Sequence, residues 1–483
     1  MSNTAQASAL ARIQSVLDEN SFVEIGAQVT KRSTDFNLSE KSVPSDGVIT
    51  GYGTINYSQV YIYSQDASAL GGSVGEMHAK KIAKIYDLAM KTGAPVIGLV
   101  DCAGLRLQEA TDALAAFGDL YQKQAMASGV IPQITAVLGN CGGGAAVLAS
   151  MSDFVFMTEK GSSLFVNSPN TIDGNFTGKC DTSSAAFQAE CGNVDYVGKD
   201  EADVFEKIRE LLSLIPANNE DDAAEESEDD LNREVPGFAS EYADPAKALA
   251  DISDNNVFFE VKKDFAKDMV TGFICMNGIT VGAVANRTAV MDDNFKAVEK
   301  FNGMLTAKAC YKAEKFVEFC DSFNIPVLTL TNVKGYEATM GEEKTLALAS
   351  AKLTYALTNA TVPKVNLIVD KAYGSAYITM NSKHIGADLV FALDGAEIGM
   401  MDAKQAAKIM YAEEIEKASD KTAIIDEKAA EYSKLQSSAE SAAKRGYVDS
   451  IIAPAAVRKQ LVYAFEMLYT KREDRPVKKH GTV

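Results

Sequence analysis

Two short runs of small residues carry the clearest chemical potential in this chain: Gly142-Gly143-Gly144-Ala145 and Gly374-Ser375-Ala376. Without a Cβ at the glycines, a substrate carbonyl can approach the backbone closely, and peptide N–H groups can hold the oxygen of a developing enolate. Each run follows a proline-started apolar strand, residues 131–138 in the first case and 362–369 in the second. A strand that feeds a glycine turn at a helix start aims unpaired N–H groups into open space. The two runs are copies. Pro132 and Pro363 lie 231 positions apart, as do Gly143 and Gly374, Pro95 and Pro326, and Gly104 and Gly335. A matched pair of glycine turns implies two such sites serving one reaction.

Reactive side chains are few. The three histidines are His78, His384 and His480. The first two sit in helical surroundings and read as packing residues, so a Ser-His-Asp triad or a two-histidine metal site has little to draw on. The seven cysteines form no C-x-x-C pair; they read as reduced thiols and argue against a zinc ribbon, and no metal site is expected. Backbone groups are therefore expected to carry the chemistry. The loop 101–109 follows a strand, where α/β sheets place ligands. Its Arg106 reads equally as a ligand contact or as an i,i+3 partner of Glu109. The small-residue loop 65–76, with Ala69-Leu70-Gly71-Gly72 at its centre, suits clasping a nucleotide-like ligand through main-chain contacts. It lacks the GxxxxGK[ST] and GxGxxG spacings, which disfavours ATP hydrolysis and dinucleotide binding.

The elements that must position these loops repeat as well. Each half runs strand pair, helix, strand, loop, helix, strand, glycine turn and helix, an alternation that predicts parallel strands with helical crossovers. Residues 47–53 and 59–66 form the first strand pair, and Asn277-Gly278 marks a hairpin between 269–276 and 280–285. An amphipathic helix carrying Ile13, Val16 and Leu17 opens the chain. The fold class expected is α/β, two tandem domains related by internal duplication, residues 1–235 and 236–483. Between them, residues 216–230 hold eight carboxylates and no basic residue, the composition of a solvated linker. Residues 411–445 read as an exposed helix–turn–helix excursion, and the basic tail from Lys471 to Gly481 as extended chain.

The formal charge of −19 makes nucleic acid a poor partner. Neither a signal peptide nor an apolar run of membrane-spanning length is visible, and with the cysteine usage this points to the cytoplasm. Ala89-Met90-Lys91-Thr92 looks like the tetrapeptide on which biotin is attached, but it falls at a helix end rather than a hairpin tip. It reads as structural.

Together these residues resemble the β-type carboxyltransferase subunits of biotin-dependent acyl-CoA carboxylases, and the α subunits of the related methylmalonyl-CoA and glutaconyl-CoA decarboxylases. The resemblance spans nearly the whole chain. In the first half it rests on residues 70–82 (LGGSVGEMHAKKI), 105–109 (LRLQE) and 128–134 (SGVIPQI). In the second it rests on 319–327 (FCDSFNIPV), 371–377 (KAYGSAY), 382–388 (SKHIGAD) and 478–481 (KKHG).

The resemblance implies two crotonase-like domains, and homodimers or trimers of dimers whose active sites join the first domain of one subunit to the second of another. By motif match, Gly143 and Gly144 would hold the thioester enolate, with Ala69, Leu70, Gly71, Gly72, Gly104, Leu105 and Arg106 around the coenzyme A thioester. Gly374 and Ser375 would hold the ureido oxygen of biotin, with Tyr373 and Ala376 beside them. The family also implies that biotin rides on a partner, a biotin carboxyl carrier protein, alongside a biotin carboxylase or a membrane decarboxylase subunit. Biotin N1 then serves as the base, which makes sense of the scarce histidines.

The chain departs from the family pattern mainly in its second half. Lys334-Gly335-Tyr336 stands where Pro-Gly-Phe is usual, residues 337–343 lack the usual Pro-Gly and Gln-Glu, and 348–353 read Leu-Ala-Ser-Ala-Lys-Leu where Arg-His-Gly-Ala-Lys-Leu is common. The N-terminus is also short. These departures bear on the biotin side and on substrate choice. The reading is a carboxyltransferase moving a carboxyl group between biotin and a short acyl-CoA, propionyl/methylmalonyl-CoA first and acetyl/malonyl-CoA next. A biotin-independent crotonase-type hydratase, isomerase or decarboxylase, and a non-catalytic assembly subunit, are the alternatives.

Overall fold

The computed structural model describes residues 8–32, 44–221 and 227–476. The chain folds as two units, Met1–Ala223 and Ala224–Val483. The first unit holds strands β1 (Val23–Glu24), β2 (Val48–Ile55), β3 (Ser58–Gln65), β4 (Val96–Cys102), β5 (Gln133–Gly142), β6 (Phe154–Thr158), β7 (Ser163–Phe165) and β8 (Tyr196–Gly198). They form one sheet in the order β1-β2-β3-β4-β5-β6-β8, with β7 beside the end of β5. From β3 onward every pairing is parallel. β4 is buried along its whole length and β5 at all but Asn140, as central parallel strands covered on both faces require. Helix Glu76–Thr92 supplies that cover with Ala79, Ile82, Ile85, Tyr86 and Ala89. Its last turn carries Lys91 and ends at Gly93 in the left-handed region, so the biotin-like tetrapeptide is a helix terminus.

The second unit repeats this architecture. Its strands are β9 (Phe258–Val261), β10 (Met269–Met276), β11 (Ile279–Asn286), β12 (Ala289–Met291), β13 (Ala297–Lys300), β14 (Val327–Val333), β15 (Lys364–Tyr373), β16 (Leu389–Leu393), β17 (Glu397–Gly399) and β18 (Ser450–Ile452). The main sheet runs β9-β10-β11-β14-β15-β16-β18 with β17 beside β15, and β12 and β13 form a separate ribbon. Strands β14 and β15 have the bounds of β4 and β5 shifted by 231 positions. The hairpin at Asn277-Gly278 is present, with φ of 53° and 75° at the two turn residues.

Buried polar groups repeat with the strands. Asn140 N–H donates to Asp101 at 3.1 Å, and 231 positions on, Lys371 N–H donates to Asn332 at 3.3 Å. Lys81 donates to the carbonyl of Val48, the first residue of β2; Lys312 donates to that of Met269, the first of β10, at 2.7 Å, and to Phe265 at 2.9 Å. Each lysine thereby hangs a hairpin on its helix, and burial lowers both, Lys81 to about 8 and Lys312 to about 7.

The Lys312 depression has a pH consequence. Above about pH 7 folded Lys312 gives up its proton, whereas the unfolded chain keeps it to 10.5. The unfolded state binds more protons in that window, so this group's contribution to stability rises with pH. The melting temperature of the wild type relative to Lys312→Met is therefore expected to increase between pH 7 and pH 10. A constant difference would contradict it.

One region differs from its sequence-based expectation. The excursion starts earlier, at helix Ala403–Met410, and continues through Ala412–Lys417, Lys421–Tyr432, a π turn at Ser433–Ser437, and Ala439–Lys444. Ala403, Ala407 and Ala429 bury a small core of their own against Tyr411 and Tyr432. Several short helices thus stand where the sequence suggests a single helix–turn–helix. Residues 222–226 of the acidic stretch and 477–483 of the basic tail lie outside the described residues.

Candidate active site

In the first unit β5 ends in the glycine turn. Gly143 adopts φ 62° and ψ −125°, a conformation open to glycine, and precedes helix Gly144–Ser150. A Cβ at Gly142 would lie 2.9 Å from the Phe165 ring, whereas at Gly143 it would meet nothing within 4 Å. The turn therefore faces open space on one side only. Gly143 N–H donates to the Phe165 carbonyl at 2.9 Å, continuing the β5–β7 ladder. Of the two residues expected to hold a ligand oxygen together, Gly143 and Gly144, the first thus has an N–H with an acceptor in the chain itself. Gly143 makes the bend, and Gly144 stands at the first position of the helix, where an N–H has no intrahelical acceptor. Tyr121 fixes the same residue by donating to the Gly144 carbonyl at 3.1 Å.

The two flanking loops are laced together. Ala103 N–H donates to Gly71, Val74 N–H to Gly104 and Arg106 N–H to Val74, each at 2.9 Å. Gly72 approaches so closely that a Cβ would lie 2.1 Å from the Asp101 carbonyl, and one at Gly104 would lie 3.5 Å from the Gly142 carbonyl. Gly104 is thus brought beside the glycine turn, and Gly71 is joined to its neighbour Ala103. Leu105 is exposed.

Arg106 is not available in the same way. Its side chain is 0% exposed and pairs with Asp46 and, at 2.9 Å, with Glu109. Of the two readings of Arg106, the i,i+3 ion pair is observed, and its guanidinium is enclosed.

In the second unit Gly374 adopts φ 64°, and Ser375 is exposed beside it. A Cβ at Gly374 would stand 3.4 Å from the Met400 carbonyl. Both residues line a cavity of about 760 Å³ that also meets Tyr377, His384, Arg445 and Tyr447. Tyr373 and Ala376 do not face it with their side chains. The Tyr373 hydroxyl donates to Glu397, which also takes Lys371 at 2.6 Å, and Ala376 is fully buried. Any contact they make with a ligand is through the backbone. Burial, reinforced by Glu397, pushes the Tyr373 phenol well above its usual value, so it stays protonated.

The histidines divide. His78 is a core residue, with Nδ1 3.0 Å from the Asp46 carbonyl and Nε2 3.2 Å from Gln65; burial and the neighbouring Arg106 lower it to about 3. His384, read as packing from its sequence, instead forms part of the cavity wall, its ring edge-on to Tyr447 at 4.8 Å and to Tyr377 at 6.0 Å. Arg445 reaches the same wall from the excursion, held by the Ser441 carbonyl at 3.0 Å. Their meeting depends on a chain reversal of some sixty positions, which no local motif, the 382–388 run around His384 included, can signal. Among the described residues, no cluster of His, Cys, Asp and Glu could hold a metal, and no helix is long and apolar enough to cross a membrane.

The family described as the carboxyl transferase domain matches residues 3–483. The chain belongs to the carboxyl transferase family. Among this family's members, the methylmalonyl-CoA decarboxylase α subunit of Propionigenium modestum is 39% identical over 98% of this chain and 92% of its own. The propionyl-CoA carboxylase β chain of Roseobacter denitrificans is 38% identical with the same coverage. A crystal structure of transcarboxylase 12S, a hexamer with methylmalonyl-coenzyme A and methylmalonic acid bound, superposes with a TM-score of 0.92 at 35% identity, covering 99% of this chain and 92% of that one. The two repeated α/β units are accordingly the crotonase-like pair of a carboxyltransferase.

Proposed function

We propose that this carboxyltransferase moves a carboxyl group between biotin on a partner protein and a short-chain acyl-CoA, with propionyl/methylmalonyl-CoA as the preferred pair. The observation that carries this reading is the matched pair of glycine turns, one beside the laced loops 69–74 and 103–106, the other opening into a 760 Å³ cavity. The substrates named for the relatives support the choice of acyl group.

In this reading the first unit holds the thioester. Main chain at Ala69–Gly72 and at Gly104 and Leu105 receives the coenzyme, and Gly144 N–H stabilises the charge that develops on the thioester oxygen. The second unit receives biotin's ureido group, whose oxygen meets Gly374 and Ser375 N–H. A cavity of this size, walled mainly by apolar groups, has room for a small bicyclic ring. Biotin, when docked, supplies the carboxyl group and the nitrogen that exchanges the α-proton. The chain itself needs no acid–base side chain for that transfer, in keeping with His78 being sealed in the core. We also place the protein in a homodimer or homohexamer, working with a biotin carboxyl carrier protein and either a biotin carboxylase or a membrane decarboxylase subunit.

The test is loss of methylmalonyl-CoA or malonyl-CoA in the presence of free biotin or a biotinylated carrier. Biotin-dependent loss, faster for methylmalonyl-CoA, is expected. Turnover that ignores biotin would replace this reading with the biotin-independent one, and folded protein that binds no acyl-CoA would leave only an assembly role.

A further inference from the structure

Helix Glu76–Thr92 begins after Gly75, which has no side chain to cap it. Carboxylates from elsewhere meet its first N–H groups instead. Glu109 accepts from Glu76 N–H and Asp46 from His78 N–H, each at 2.7 Å. Arg106 bridges the two carboxylates through Nη1, while Nη2 donates to the Ser73 carbonyl at 2.8 Å and to the Asp46 carbonyl at 3.3 Å. A Cβ at Gly75 would lie 2.4 Å from Glu109 Oε1 and 2.6 Å from Arg106 Nη1, so only glycine lets the helix start come this close. One buried guanidinium thereby ties together residue 46, the end of the 69–75 loop and the 104–109 loop.

The second unit serves as an internal control. There the equivalent helix Ala307–Ser322 is capped by Thr306, which accepts from Ala309 N–H at 3.2 Å, and by Glu342, which accepts from Ala307 N–H at 2.6 Å. The residue 231 positions after Arg106 is Glu337, which instead accepts from Asn302. The fold closes this helix start without a buried arginine. Arg106 is therefore particular to the unit whose loops flank Gly144.

We propose that Arg106 is a positioning residue for the coenzyme A thioester: its fork holds the backbone of 69–75 against 103–106 in the shape that receives the ligand, with no contact of its own. This rests on the functional reading above. Asp46 and Glu109 are the anchors of that fork, and a lysine, with a single point charge, cannot reach both carboxylates and the Ser73 carbonyl together.

Full-length Arg106→Lys tests it by calorimetric binding of methylmalonyl-CoA and by steady-state kinetics with biotin. Thioester Kd and KM are expected to rise about tenfold, with kcat at saturating thioester within about threefold of wild type and the KM for biotin unchanged. A purely structural role would lower active fraction and kcat and leave KM alone. Wild-type Kd in folded Arg106→Lys, or equal weakening toward biotin, would overturn the proposal. Should that variant fail to fold, Glu109→Gln, which keeps an acceptor for Glu76 N–H but weakens the fork, is judged by the same criteria. Wild-type protein that binds no methylmalonyl-CoA would instead defeat the functional reading itself.

Discussion

Gly144→Pro is expected to lower carboxyl transfer by about 10²–10³-fold while methylmalonyl-CoA still binds, because it deletes one N–H aimed at the developing oxyanion. Proline is tolerated at the first position of a helix, where the lost N–H has no intrahelical acceptor. The added ring atoms do approach Phe117 and the Tyr121 hydroxyl, each about 3.0 Å from a Cβ at this position. Gly144→Ala adds the same Cβ and keeps the N–H, so the ratio between the two variants isolates the hydrogen bond from the crowding. Equal activity of the two, both folded, would remove Gly144 from the mechanism. Gly143 offers no comparable test, since its N–H already belongs to Phe165.

Ser375→Pro is expected to fail in the complementary way. Biotin-dependent turnover should fall about 10²-fold, with thioester Kd unchanged, because the variant removes the N–H of a residue that lines the cavity of the second unit. The Ser375 side chain is exposed, so Ser375→Ala and Ser375→Gly, which retain the N–H, should keep most activity. A loss in Ser375→Ala matching that in Ser375→Pro would show that the hydroxyl, not the backbone, does the work. Weakened thioester binding in Ser375→Pro would contradict the division of labour between the two turns.

Much of this was legible in the linear chain because duplication leaves a periodic record. Proline-started strands and glycine turns recur at a fixed offset, and β14 and β15 keep the bounds of β4 and β5 within that register. Glycine turns are readable because their backbone demands restrict which residues can occupy them. The hairpin at Asn277-Gly278 was readable for the same reason. The helical excursion was read only coarsely, as one helix–turn–helix where several short helices follow one another.

The chain by itself therefore determined the α/β repeat and the positions of both glycine turns. Tertiary structure alone decided which donors remain open and which polar groups are sealed. Gly143 and Gly144 are neighbours of one type, yet only the pairing of β5 with β7 occupies the first N–H and spares the second. Arg106 reads equally as a ligand contact or a partner of Glu109, and only the fold adds Asp46, sixty positions away, to its buried ion pairs. His384 reads as packing until Tyr447 and the excursion build a cavity wall around it. Local conformational preference is written in residue type, whereas exposure and hydrogen-bond partnership depend on segments that meet only after the sheet has formed.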